Sequence, residues 1–150
     1  MKLKKLTLLF GRICSGKSSY KPDEYRIVVS NIVRGIISKS TREELQDTLH
    51  LDQKIGEALV MVIDQVAEHV EYVIVDGIRQ ASIVEMVLEH YPYAELVWLS
   101  VTDAERRRRY ISRMDAKDVE PFELADTKPI ELECQKIYEI YKTKLHIVNN

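Results

Sequence analysis

The sequence predicts an α/β fold built on a mostly parallel sheet, and three observations predict it. Short apolar, β-branched runs alternate with segments of helical periodicity along the whole chain. The first of these runs stops at Gly11, in a glycine-bounded turn that leads into a helix start. The 150 residues, 45% hydrophobic and 31% charged, match one soluble domain that buries about two-thirds of its unfolded surface.

The elements follow in order. Leu3–Phe10 reads as a buried strand. Gly16–Tyr20 can open a helix, which Pro22 must cut short because it lacks a backbone N–H and clashes with the preceding turn. Arg26–Val29 reads as a second strand, and Ile32–Ile37 as one or two helical turns. Ser40 followed by Glu43 is a capping-box pattern that opens another helix. Across Leu51–Val70, the residues Ile55, Leu59, Val62, Ile63 and Val66 recur at helical spacing. Tyr72–Val75 is a strand that ends at Asp76-Gly77. Ala81–His90 is helical, with Ile83, Val84, Val87 and Leu88 on one face, and Pro92 stops it. Ala94–Val101 is the fourth strand, and Thr102 or Asp103 caps a helix that runs through Met114. Asp115–Lys128 is polar and contains Pro121, so it reads as a loop. Pro129 suits the first helical position, Ile130–Tyr141 continues that helix, and Leu145–Val148 is the last strand. No repeat, linker or low-complexity segment interrupts this order, so a single domain over 1–150 is expected.

Charge and cysteine content narrow the function classes. Lys and Arg total 22 against 24 Asp and Glu, a formal net charge of -2. That balance argues against a protein that coats long nucleic acid, although a local basic site is compatible with it. Cys14 and Cys134 cannot build a disulfide framework, so a reducing, cytoplasmic setting is expected. The apolar runs are far too short to span a bilayer, and Leu6–Phe10 ends in Gly-Arg rather than at a signal-peptide cleavage site. His50, His69, His90 and His146 show no metal-ligand spacing. No membrane partner is expected, and the sequence leaves the oligomeric state open.

Gly11-Arg12-Ile13-Cys14-Ser15-Gly16-Lys17-Ser18 fits G-x-x-x-x-G-K-[ST] without a mismatch, after a strand and before a helix start. The spacing has a physical reason. Glycines let backbone N–H groups turn inward around a phosphate, and the helix start adds partial positive charge. The ATP-binding residues expected here are Gly11, Arg12, Cys14, Ser15, Gly16, Lys17, Ser18 and Ser19. Lys17 can reach the β- and γ-phosphates and is a catalytic candidate, and Ser18 can ligate Mg²⁺. A guanine-specific N-K-x-D is absent, which argues against a GTPase switch.

Other segments could complete such a site. Asp76 stands at a strand's C-terminal end, where a carboxylate lies near the phosphate loop of such sheets. It can hold Mg²⁺ through water, or accept a hydrogen bond from the loop side. Gly77 allows close approach of substrate to backbone, and Arg79 can clamp a phosphate with its planar fork. Gln80 is a candidate for base contact. Arg109 and Arg113 are four apart and share a helix face. Four successive arginines, Arg106–Arg109, cannot all face one site, so Arg107 and Arg108 are expected to be solvated. The same run could alternatively meet a nucleic-acid backbone.

Taken together, the phosphate loop, Val29-Ser30-Asn31-Ile32-Val33-Arg34, Val73-Ile74-Val75-Asp76-Gly77-Ile78-Arg79, the arginine-rich Ala104–Arg113 and the final Lys144–Asn149 resemble the nucleoside monophosphate kinase group of P-loop kinases. That group includes adenylate kinases, dephospho-coenzyme A kinases and phage deoxynucleotide kinases, and the resemblance covers Leu3 to Asn149. It implies a P-loop NTPase fold, three-layer α/β/α, with a five-stranded parallel sheet in the order 2-3-1-4-5 and a short lid over about 115–128. It implies that Ser30, Arg34, Asp76, Gly77, Arg79 and Gln80 bind the acceptor. Lys17, Asp76, Arg79, Arg109 and Arg113 are catalytic by the same resemblance, Ser18 and Asp76 hold the metal, and Asn149 lies near the adenine. Two departures stand out: Ser30-Asn31 replaces the group's Gly-Asp, and the helix after the phosphate loop is little more than one turn. The function implied is transfer of the γ-phosphate of ATP, with Mg²⁺, to a (deoxy)nucleoside monophosphate. One alternative keeps the chemistry and moves it to 5-hydroxymethyluracil in DNA, as in related phage P-loop kinases. A third reading is a non-catalytic nucleotide-binding module.

Overall fold

Strand β1 (Lys5–Gly11) is buried along nearly its whole length, from Leu6 to Gly11, because it runs between two neighbours in the middle of a sheet. A computed structural model of the chain describes residues 1–113 and 121–150. In it, β3 (Tyr72–Asp76) and β4 (Glu95–Ser100) flank β1, while β2 (Tyr25–Val28) and β5 (Leu145–Asn149) form the edges. Every pairing is parallel, and the order β2-β3-β1-β4-β5 is the one expected. Register aligns Leu9 with Asp76 and Gly11 with Leu99, so the phosphate loop and Asp76 leave the sheet at the same carboxyl edge.

Seven α-helices accompany the sheet among the described residues. They are α1 (Val29–Lys39), α2 (Arg42–Gln46), α3 (Thr48–Ala67), α4 (Ala81–His90), α5 (Asp103–Arg113), α6 (Phe122–Asp126) and α7 (Pro129–Tyr141). On one sheet face, Leu6, Leu8, Phe10, Val75 and Trp98 pack with Ile55, Leu59 and Ile63 of α3, Ile83 and Val87 of α4, and Ile137 of α7. The other face buries Leu9, Ile74, Val97 and Leu99, with Tyr20 and Val148 packed against them. No helix among the described residues is long and apolar enough to cross a membrane.

Several boundaries differ from the sequence reading. Val29, expected to end the second strand, instead starts α1, which runs to Lys39 and so extends beyond the expected Ile32–Ile37 at both ends. The capping box sits one residue later than Ser40 and Glu43. Thr41 Oγ1 accepts from the Glu44 amide at 3.2 Å and donates to Glu44 Oε1 at 3.1 Å. Ser40 instead closes α1, its hydroxyl donating to the Ile36 carbonyl at 2.7 Å. The long helix starts earlier, at Thr48, because Asp47 accepts from the His50 amide at 3.1 Å and caps it. Within the expected loop 115–128, Phe122–Asp126 is a short helix that buries Phe122 and Ala125. Met114, and Asp115–Glu120 of the expected lid, lie outside the described residues.

The helix start after the phosphate loop yields only a 3₁₀ turn, Lys17–Ser19. Its anchoring comes from β2. Arg26 donates to the Lys17 carbonyl at 2.9 Å and to the Tyr20 carbonyl, and pairs with Asp76 at 3.3 Å. Tyr20 then lays its ring on the second sheet face, where a longer helix would otherwise pack.

Candidate active site at the phosphate loop

The loop's shape follows from its residue types. A Cβ on Gly11 would fall 2.3 Å from Ser15 Oγ, so the loop closes over Gly11 only because that side chain is absent. Gly16 has a φ of 90°, which glycine adopts freely, and a Cβ there would meet Asn150 Nδ2 at 2.4 Å. Cys14, with a φ of 62°, holds the same left-handed region without that freedom. Lys17 Nζ folds back and donates to the Gly11 carbonyl at 2.8 Å. Burial pulls the Lys17 ammonium below its ordinary range, and the positive charge of Arg79 adds to that. Ser15 is buried, and its Oγ has no hydrogen-bond partner among the described residues.

Two cavities meet at this loop and share Cys14, Gly16, Ser18 and Arg113. One, of about 310 Å³, opens toward β3 and is also lined by Lys17, Asp76, Arg79 and Glu131. The other, of about 460 Å³, opens toward α5 and β5 and is also lined by Ser19, Arg109 and Asn150.

The structure brings many of the expected residues together here. Arg109 Nη1 donates to the Cys14 carbonyl at 3.3 Å, and Arg113 Nη2 reaches Cys14 Sγ at 3.0 Å. Asp76 faces the first cavity with Arg26 as its ion-pair partner. Gly77, with a φ of 102°, adopts the left-handed region that favours glycine, and a Cβ there would make ordinary contact with Val29 at 3.9 Å. Arg79 pairs with Glu131 at 3.1 Å.

Other expected residues sit elsewhere. Ser30 and Arg34 are exposed on α1, and Arg34 donates to Asn31 Oδ1 one turn away. Neither residue lines the two cavities. Gln80 is the N-cap residue of α4 and makes no side-chain cap bond. Asn149 is exposed on β5. The next residue, Asn150, reaches the loop instead: its Nδ2 donates to the Ser15 carbonyl at 2.8 Å, and its carbonyl accepts from Arg109 at 2.7 Å. Arg12 and Arg106 point to Asp126, with ion pairs of 3.0 and 2.6 Å. Arg107 pairs with Glu123 and lies 5.5 Å from the Phe122 ring centre, so it is less free in solvent than expected. Arg108 forks onto Glu105 at 2.7 and 2.8 Å on the surface.

Glu131, Asp126, Arg26 and Asn150 belong to no motif that the sequence reveals. Glu131 lies 118 residues from Ile13 and 52 from Arg79, the two groups that it joins.

No protein-family model matches the chain, and no curated protein matches it. Solved structures do. A sugar kinase from Janibacter sp. HTCC2649, in an unliganded crystal structure, matches with a TM-score of 0.57 and 11% identity over 97% of this chain and 85% of that one. Shikimate kinase from Bacteroides thetaiotaomicron matches with a TM-score of 0.51 and 16% identity over 97% of this chain and 86% of that one. At such identities the likeness is one of fold: this chain has the α/β P-loop fold of these kinases, with the five-stranded parallel sheet in the order 2-3-1-4-5.

Proposed function

We propose that the chain is an ATP- and Mg²⁺-dependent phosphotransferase with a nucleotide acceptor. The observation that carries this reading is the pair of cavities meeting at one phosphate loop. A module that only holds a nucleotide needs one such space, whereas transfer between two substrates needs two that meet where the phosphoryl group passes.

The residues present fit a magnesium-bound triphosphate. The loop offers the Gly16 backbone, free of a side chain at a φ of 90°, and the buried, unpartnered Ser15 Oγ. Lys17 would exchange the Gly11 carbonyl for phosphate oxygens. Ser18 and Asp76 would hold the metal, which supplies charge neutralisation between the donor phosphates. Arg109 and Arg113 would meet the donor from α5, with Asn150 bordering the nucleoside side. Arg79 stands beside Lys17 and would reach the transferring group from the acceptor side. These groups position the reactants and offset negative charge, and no covalent enzyme intermediate is required.

A (deoxy)nucleoside monophosphate is the acceptor in the first reading. One observation favours the second, a hydroxymethyl group of 5-hydroxymethyluracil in DNA. Arg34, one of the two arginines expected to hold an acceptor phosphate, lies outside the cavity, while Arg79, the other, lines it beside the carboxylate of Asp76. A hydroxyl acceptor needs a group to take its proton, whereas a monophosphate oxygen is already ionised and needs none. The decisive experiment incubates the protein with labelled ATP and Mg²⁺ against nucleoside monophosphates, plain DNA and hydroxymethylated DNA. Label transfer that disappears in Lys17→Ala supports the phosphotransferase, and the labelled product identifies the acceptor. Full transfer in Lys17→Ala would remove the assignment.

A further inference from the structure

We propose that Glu131 is a positioning residue for phosphoryl transfer, which ties Arg79 to the Ile13 amide of the phosphate loop from a third element, α7. This inference rests on the phosphotransferase reading. Glu131 is 5% exposed, and its two oxygens are divided between two parts of the site. Oε1 accepts from Arg79 Nη1 at 3.1 Å, and Oε2 accepts from the Ile13 amide at 3.2 Å. One turn further along α7, Cys134 Sγ meets the Gly11 carbonyl at 3.6 Å, so the first turns of α7 back the loop at two residues.

Charge explains why a carboxylate stands there. Lys17, Arg79 and Arg113 line one cavity, and of the acidic groups that line it, Asp76 is shared with Arg26. Glu131 is therefore the counter-ion that lets Arg79 stay beside Lys17. Without it, repulsion among three cations in a space of low dielectric would turn the Arg79 side chain, already 29% exposed, toward water. A buried carboxylate destabilises a fold unless it is paired and fully hydrogen-bonded, and an apolar residue would pack at this position as well if packing were its only role. The division of its oxygens between a loop amide and an arginine is what a side chain needs to fix the distance between them.

The test compares Glu131→Ala, Glu131→Gln, Arg79→Ala and the Glu131→Ala/Arg79→Ala double variant. It reads kcat, the ratio of ATP to ADP affinity by calorimetry, and thermal stability. Glu131→Ala is expected to lower kcat roughly tenfold to a hundredfold and to narrow the preference for ATP over ADP about tenfold. The double variant is expected to lose clearly less than the product of the two single losses, because Glu131 acts in part through Arg79 and in part through the Ile13 amide. Glu131→Gln keeps an acceptor for the Ile13 amide and is expected to lie between wild type and Glu131→Ala. It also carries the test if the alanine variant fails to fold. Losses that multiply in the double variant would overturn the inference, as would a fall in stability with kcat and the ATP preference unchanged. A wild-type protein that prefers ATP over ADP yet transfers phosphate to no acceptor would sink the functional reading alone. The inference would then stand or fall on the ATP preference in the four variants.

Discussion

Arg106 grips both oxygens of Asp126, from Nη1 at 2.6 Å and from Nη2 at 3.2 Å, and Arg12 meets the same carboxylate at 3.0 Å. Arg106 also donates to the Ile13 carbonyl at 3.3 Å, so this cluster ties α5, α6 and the phosphate loop into one unit. Arg106 is 3% exposed, and its other partner, Asp103, is largely in water. Removing the Asp126 charge leaves a buried guanidinium with a weak, screened partner. Asp126→Asn is therefore expected to lower stability by about 3 kcal/mol, read as a shift in the denaturant midpoint at constant slope. An unchanged midpoint would show that water replaces the carboxylate at no net loss.

The α5 arginines differ in whether they touch the phosphate loop. Arg109 and Arg113 reach Cys14, with Arg109 also paired to Glu105 at 3.1 Å, whereas Arg107 and Arg108 meet Glu123 and Glu105. Charge-assisted contacts to phosphate are worth roughly 1.5–3 kcal/mol each. Arg109→Ala and Arg113→Ala should then lower kcat/KM for ATP roughly tenfold to a hundredfold. Arg107→Ala and Arg108→Ala should change it by less than about threefold, because an exposed pair contributes little. Equal small effects at all four positions would assign the run to solvent.

The strands and the phosphate loop were legible because their signals are local, whereas the sheet order was implied by the resemblance to P-loop kinases alone. Apolar runs bounded by Gly11, Pro22 and Pro92 set the elements, and one eight-residue motif sets the loop. The counter-ions were not legible. Asp126 and Glu131 look like ordinary helix acids, and nothing in their neighbourhood shows that they close on Arg106, Arg12, Arg79 and Ile13. The same holds for Arg26, a strand residue whose partners are carbonyls of a segment too short to be a helix. Capping was misplaced by one residue because Ser40 and Thr41 both suit a cap, and only the folded chain shows which one α1 already uses.

Cys14 carries a conformation that favours glycine. A non-glycine residue in the left-handed region is strained by roughly 1–2 kcal/mol. Cys14→Gly removes that strain but loses a small buried side chain and gains unfolded-chain entropy. The two effects are expected to cancel within about 1 kcal/mol, with ATP affinity retained. Cys14→Val adds a β-branched side chain at a φ of 62° and is expected to destabilise by more than about 2 kcal/mol and to weaken ATP binding. Thermal melts with and without ATP compare the two variants. A valine variant as stable as wild type would show that the loop relaxes away from this geometry.

Lys17 makes stability and ATP affinity respond to alkaline pH in opposite directions. Burial holds its folded-state pKa below the ordinary 10.5, so between the folded value and 10.5 the unfolded chain binds the proton more tightly. Stability therefore gains a positive slope as pH rises through that window, because the penalty for burying the ammonium is relieved. On the proposed function ATP binding needs the ammonium, so its affinity is expected to fall in the same window, by up to about tenfold per pH unit for one linked proton. Bound phosphates favour the charged form, and complex formation should then take up a proton from solvent. Calorimetry of ATP binding in buffers of different ionisation enthalpy measures that uptake directly. The expected result is proton uptake that grows from neutral pH toward 10.5 in wild type and is absent in Lys17→Met. Uptake of equal size in Lys17→Met would assign the proton to another group, with the Cys134 thiol, itself pushed up by burial, as the next to test.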